Sequence, residues 1–137
     1  MTPESVTIIL PLPVKVLSPN CAVATPGGRF TKAAAIKRYR KLAQEAIEAE
    51  SIETKPWGKV TVAAKFFFPT KHRRDQDNAV ASLKAAYDGI VDSGLVIDDD
   101  YEHMERRMPL FLFDSLYPRV ELTIRKCVNA ENDSEGS

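Results

Sequence analysis

Two acidic segments dominate the chemistry of this chain. Arg73-Arg74-Asp75-Gln76-Asp77-Asn78 sets two carboxylates one residue apart beside two guanidinium groups, and Ile97-Asp98-Asp99-Asp100 supplies a second acidic run. Carboxylate oxygens are the natural ligands of a hard divalent cation such as Mg2+, which keeps several waters and needs few protein donors. Lys84 lies seven residues after Asp77. On a helix that separation returns it to within about 20° of the same face, and its rise is about 10 Å. A long side chain leaning toward the helix start then aims its ammonium at Asp75 and Asp77. Carboxylates, one lysine and a basic surface are the equipment of metal-assisted phosphodiester cleavage.

Each feature also has a plainer explanation. Asp75 or Asp77 can cap a helix, the Asp98–Asp100 run can be a solvated turn, and Lys84 alone reads as a surface lysine. An EF-hand loop beginning at Asp75 is excluded, because Val80 stands where the glycine is needed and Ala86 where the terminal glutamate is needed. What favours the chemical reading is coincidence on one helix, next to charge blocks that demand it. Arg29, Lys32, Lys37, Arg38, Arg40 and Lys41 form a basic run without an acid, and Lys65, Lys71, His72, Arg73 and Arg74 a second. The net charge is zero, yet segregated blocks still give a phosphate-binding face. A bound cation would let that face and the aspartates share one polyanion.

The elements that must position these groups follow from periodicity. Residues 5–11 read as a strand, and 13–30, with Pro13, Pro19, Pro26, Gly27 and Gly28, as a long loop. Thr31 opens a helix to about Glu50, with Ile36, Tyr39, Ala43, Ala46 and Ile47 at helical spacing. Val60, Val62, Ala64, Phe66 and Phe68 alternate as a strand ended by Pro69. A second helix is expected over about Asp77–Asp92, with Gly94 in the left-handed position beyond it. Strands near 103–113 and 118–126 follow, with Asp114–Pro118 as a hairpin turn. The result is an α+β fold in two layers: a small mixed or antiparallel sheet with two helices packed on it, in the order β-α-β-α-β-β. One domain over 1–127 is expected, followed by a disordered acidic tail, 128–137.

Length and composition exclude other classes. The 137 residues suffice for one core without metal or disulfide staples. No apolar run is long enough to span a membrane, and no secretory signal is expected. Cys21 and Cys127 form neither a disulfide framework nor a zinc pattern, so free thiols in a reducing cytoplasm are expected. His72 reads as an exposed basic residue, His103 as one with some prospect of supporting the acidic cluster, and Trp57 as packing rather than base stacking.

Arg74-Asp75-Gln76-Asp77-Asn78, Lys84, Asp88-Gly89, Gly94 and Asp98-Asp99 together resemble the signature of the RusA family of Holliday junction resolvases, found in bacteria, phages and prophages. Leu10-Pro11-Leu12-Pro13, Ser18-Pro19-Asn20 and the Arg119–Ile124 strand are similar too, so the likeness spans about residues 6–126. It implies a small homodimer that binds branched, four-way DNA and cuts two opposed strands with Mg2+ or Mn2+, without an organic cofactor. By position it implies Asp75, Asp77 and Asp99 as metal-binding catalytic residues, Asp98 being the next choice and Asp100 the last. Lys84 would face the scissile phosphate. Some members carry that lysine one turn after the second aspartate, where this chain has Ala81. Arg73, Arg74, Lys71, Lys37, Arg38 and Lys41 are the expected DNA contacts. Phe66, Phe67, Phe68, Phe111 and Phe113 are divided between core and dimer interface. Three rivals stay open: another metal-dependent nuclease acting on flap or branched DNA, a DNA-binding module that does not cut, and an RNA-directed role.

Overall fold

Strict alternation builds the sheet. A computed structural model of the protein describes residues 4–13, 26–71 and 83–127, with side chains of the first helix from residue 32 onward. The elements are β1 (Ser5–Leu10), α1 (Pro26–Glu48), β2 (Val60–Phe68), α2 (Lys84–Asp92), β3 (Met104–Arg106), β4 (Leu110–Phe113) and β5 (Arg119–Lys126). Val6, Ile8 and Leu10 of β1, Val60, Val62, Ala64 and Phe66 of β2, and Val120, Leu122 and Ile124 of β5 are buried on one face. α1 packs Tyr39, Ala43 and Ile47 into the same core, and α2 packs Ala85, Ala86, Tyr87 and Ile90. The fold is therefore the expected α+β arrangement: two helices on one side of a five-stranded mixed sheet.

β1 pairs with β5 and β5 with β2, both antiparallel, while β3 and β4 both run parallel to β2 along its other edge. The expected order is present, with the strand foreseen at 103–113 divided in two. Val60 faces Met104 and Lys65 faces Leu110, so the edge carries one residue more than β2 over the same stretch. The surplus lies at 107–109, where Pro109 has no N–H for a ladder. The Arg107 N–H still donates to the Val62 carbonyl at 3.0 Å.

Two expectations are corrected. Asp114–Pro118 is not a hairpin turn, because β4 and β5 lie on opposite sides of β2. The segment instead crosses the end of β2, where the Asp114 N–H donates to the Phe68 carbonyl at 2.8 Å. The Asp114 carboxylate accepts the N–H groups of Leu116 and Tyr117 and an Arg119 N–H at 2.9 Å, which holds the crossing in shape. Alternation assigns faces to strands but does not choose their neighbours. The second correction is the start of α1, at Pro26 rather than Thr31. Proline suits the first helical turn, and Gly27 and Gly28, which look like loop punctuation, are carried inside it.

The helices meet where a side chain would not fit. A Cβ on Gly89 would stand 2.2 Å from the Arg40 carbonyl oxygen and 2.8 Å from the Ala43 Cβ. Gly94 has φ +86°, as the position past α2 requires. Trp57 is 1% exposed, so it is packing. Phe66 is buried, and Phe68 and Phe111 pack against it with ring centroids 5.6 Å away. Those three belong to the core. Phe67 is half-buried under Arg119, and Phe113 is exposed. Cys127 is a free thiol 3.2 Å from the Thr61 hydroxyl. No helix among the described residues is long and apolar enough to cross a membrane. The 128–137 tail and the first part of the expected second helix lie outside the described residues.

Candidate active site

The reversal at Gly94 and the pairing of Val96 with Trp57 bring the 98–100 segment back to the start of α2. There the ammonium of Lys84, the first residue of the helix, donates to Asp99 Oδ2 at 2.5 Å and to Asp88 Oδ1 at 2.9 Å. The Asp88 contact is a one-turn helix pair. The Asp99 contact joins two segments that sequence spacing alone does not connect.

The three consecutive aspartates do different work. Asp98 accepts the Asp99 N–H at 2.7 Å. Asp100 accepts the N–H groups of Glu102 and His103, both at 3.1 Å, and its carboxylate lies 2.6 Å from His103 Nδ1. Both therefore shape the turn. Asp99 is the one that reaches Lys84, with a side chain 20% exposed against 58% for the lysine. The Lys84 hydrogen bond holds the Asp99 carboxyl below the ordinary carboxylate range, with a smaller contribution from the Arg106 charge. The hydrogen bonds to Asp99 and then Asp88 push the Lys84 ammonium the other way, above its ordinary value. Asp99 and Lys84 thus each hold the other in its charged form, with Asp88 as the lysine's second acceptor.

Arg106 is a neighbour that sequence reasoning missed. It sits on β3 with its guanidinium carbon 5.0 Å from the ring centre of the buried Tyr87, and its charge reaches Asp99. The signal was available in the alternation of Met104 and Arg106, which turns both toward the helices. Asp88 was also missed as a partner of Lys84, although Lys84 and Asp88 stand at helix-pair spacing.

The expected basic residues are only partly within view. Lys37, Arg38 and Lys41 are exposed on α1, and Lys71 is exposed with its ammonium 5.3 Å from the Phe113 ring centre. Lys37, Lys41, Ile36 and Gln44 line an open depression of about 560 Å³ together with Arg40 and Asp92. Arg40 is committed there, donating to both Asp92 oxygens at 2.5 and 2.8 Å. That pairing lowers the Asp92 carboxyl and raises the guanidinium. No ion pair engages Lys37, Arg38 or Lys41 among the described residues. Asp75, Asp77, His72, Arg73 and Arg74 lie outside the described residues.

Among the described residues, no three His, Cys, Asp or Glu side chains are grouped to hold a metal ion. The donors that are present nevertheless suit a hard cation. They are carboxylate oxygens, Asp99 is held ionised, and two of them already converge on one positive charge.

A two-layer α+β domain that gathers two carboxylates and an ammonium at the start of one helix, with a guanidinium over Tyr87, carries charges suited to work on a phosphate ester. Comparison with known families gives the particular kind. Residues 12–125 match the family described as Endodeoxyribonuclease RusA, and the chain belongs to that family. Membership indicates a Holliday junction resolving endodeoxyribonuclease, a hydrolase of DNA recombination that binds branched junctions. No curated protein matches the chain.

Proposed function

We propose that the protein is a homodimer that cuts two opposed strands of a four-way DNA junction with Mg2+, for which Mn2+ can substitute. Asp75, Asp77 and Asp99 are its metal ligands and Lys84 its phosphate-facing cation. The observation that carries this reading is the Lys84–Asp99 contact, which gathers an ionised carboxylate and a lasting positive charge at one point of a family-matched nuclease domain. The cation, when bound, supplies Lewis acidity and lowers the pKa of a bound water. The remaining work falls to the chain itself. Asp99, kept ionised, offers oxygen ligands at neutral pH. Lys84, more than half exposed, turns donors from Asp88 and Asp99 to the non-bridging oxygens of the phosphate as charge develops there. Arg106 holds a neighbouring phosphate. Lys37, Arg38, Lys41, Lys71, Arg73 and Arg74 extend the track, orienting the substrate without reading bases.

Dimerisation follows from substrate symmetry: paired cuts on opposite strands need two sites related by a two-fold axis. We assign the nuclease domain to residues 1–127, with the acidic 128–137 segment outside it. The direct test incubates the purified full chain with a labelled mobile junction, a linear duplex and a flap, with and without Mg2+. Symmetric nicks in the junction alone, and only with metal, are expected. Preferential flap cutting, or metal-independent nicking, would overturn the proposal.

A further inference from the structure

The helices cover one side of the sheet, and among the described residues no element covers the other. On that open side Ser5, Arg125, Thr61 and Glu105 form one row across the strands, and Thr7, Thr123 and Ala63 the next. Small side chains leave a low floor here. Thr61, Ala63, Thr123, Arg107 and Arg125 line a shallow depression of about 360 Å³ that contains two guanidinium groups and no carboxylate. Arg107 comes no closer than 4.0 Å to Glu105, and both side chains are more than half exposed. Arg40 and Arg119, by contrast, are each held by carboxylates at 2.5–2.9 Å.

We infer that this depression is a second DNA-backbone site, in which Arg107 and Arg125 take a phosphodiester of a junction arm beside the Thr61 and Thr123 hydroxyls. The inference rests on the DNA-cutting role proposed above. Guanidinium forks match phosphate oxygens, and hydroxyls add short donors. A shallow, open floor suits a polymer backbone rather than an enclosed small molecule. With Ala63 as its sole apolar lining residue, it lacks the aromatic anchor a protein partner needs.

The site is also connected to the first one. Arg106 and Arg107 are consecutive on the sheet edge and point to opposite faces. One lies over Tyr87 on the helix side, and the other lines the open side. A strand leaving the Lys84–Asp99 site around the β3 edge meets Arg107 next.

The test measures binding of the full chain to a fluorescent four-way junction without divalent metal, across a salt series. Arg107→Gln/Arg125→Gln should weaken binding about 10-fold near 0.1 M salt and flatten the log–log salt slope by roughly two, one contact per lost cation. Turnover at saturating junction should stay within about two-fold, because specificity-neutral phosphate contacts only position the substrate. Glu105→Gln should tighten binding, a change in the opposite sense that loss of folding does not mimic. Unchanged affinity and slope in the double variant would overturn the inference. So would a change in its sedimentation without DNA, which would make this face a contact between copies. An Asp99→Asn arm separates the two readings: retained binding with lost cutting supports the catalytic proposal, while the arginine pair reports on the open face alone.

Discussion

Two clusters in this protein have the same formal composition, one cation between two carboxylates, and opposite character. Arg119 lies between Asp114 and Glu121 at 2.9 and 2.8 Å. It also donates to the Tyr117 carbonyl at 2.7 Å and stacks 3.8 Å from the Phe67 ring centre. Its side chain is 14% exposed. Lys84 sits between Asp88 and Asp99 with a side chain 58% exposed, and among the described residues no aromatic ring stacks on it. A planar fork with several fixed partners is locked, whereas a point charge on a flexible stem exchanges partners readily. The first cluster fastens the chain where it crosses the end of β2. The second leaves its cation more than half exposed, as the proposed phosphate contact requires.

Several experiments break or sharpen that contrast. Asp99→Asn should lower junction cutting about 1,000-fold, since it removes the proposed metal ligand and the anion that pairs with Lys84. Junction binding by gel shift should persist, and its loss would show that Asp99 supports the fold rather than the chemistry. Lys84→Met should cost about 100-fold in kcat with little change in KM, the mark of an interaction realised in the transition state. A kcat unchanged by Lys84→Met would reduce the triad to a surface ion pair.

Gly89→Ala tests the platform. Its methyl would collide with the Arg40 carbonyl, so unfolding by denaturant should show a loss of about 3 kcal/mol. Arg119→Gln should lower the melting temperature by a few degrees while cutting stays near wild type. Impaired cutting in a folded Arg119→Gln protein would erase the distinction between the clusters.

The smallest effect is in pH. Asp99 titrates below its ordinary value of 3.8 in the folded chain, so its contribution to stability is present above that value and lost as pH falls through the lowered one. Lys84 titrates above 10.5, so its contribution is present below that value and lost as pH rises through the raised one. Replacing Asp99 with Asn should therefore flatten the acid limb of a stability–pH curve below about pH 4, and should also lower the alkaline midpoint of Lys84.

Sequence reasoning reached those parts of the fold governed by period. Val60–Phe66 and Val120–Ile124 announce their buried faces through alternation, and Gly94 announces the end of α2 through its backbone freedom. It failed where geometry between elements decides. Nothing in Leu110–Phe113 says that its partner is β2 rather than β5, and nothing in Pro26-Gly27-Gly28 separates a helix start from a loop. Within the site, the family likeness points to Asp99 ahead of Asp98 and Asp100, and Asp99 is the aspartate that meets Lys84. Arg106 was overlooked because an arginine on a core-facing parity looks like an error of phase unless Tyr87 is known to lie beneath it.

The surplus residue at the sheet edge has one more implication, and it concerns arithmetic. Before the interruption even-numbered side chains, Met104 and Arg106, look toward the helices; after it the odd-numbered Phe111 does. Were the strand to run straight through with Met108 kept in the ladder, Leu110 and Leu112 would turn in and Phe111 out; removing Met108 would instead restore an unbroken count with Phe111 still opposite Phe66. The surplus thus decides which face Phe111 takes, and deletion of Met108 alone should be tolerated far better than loss of Phe111 itself.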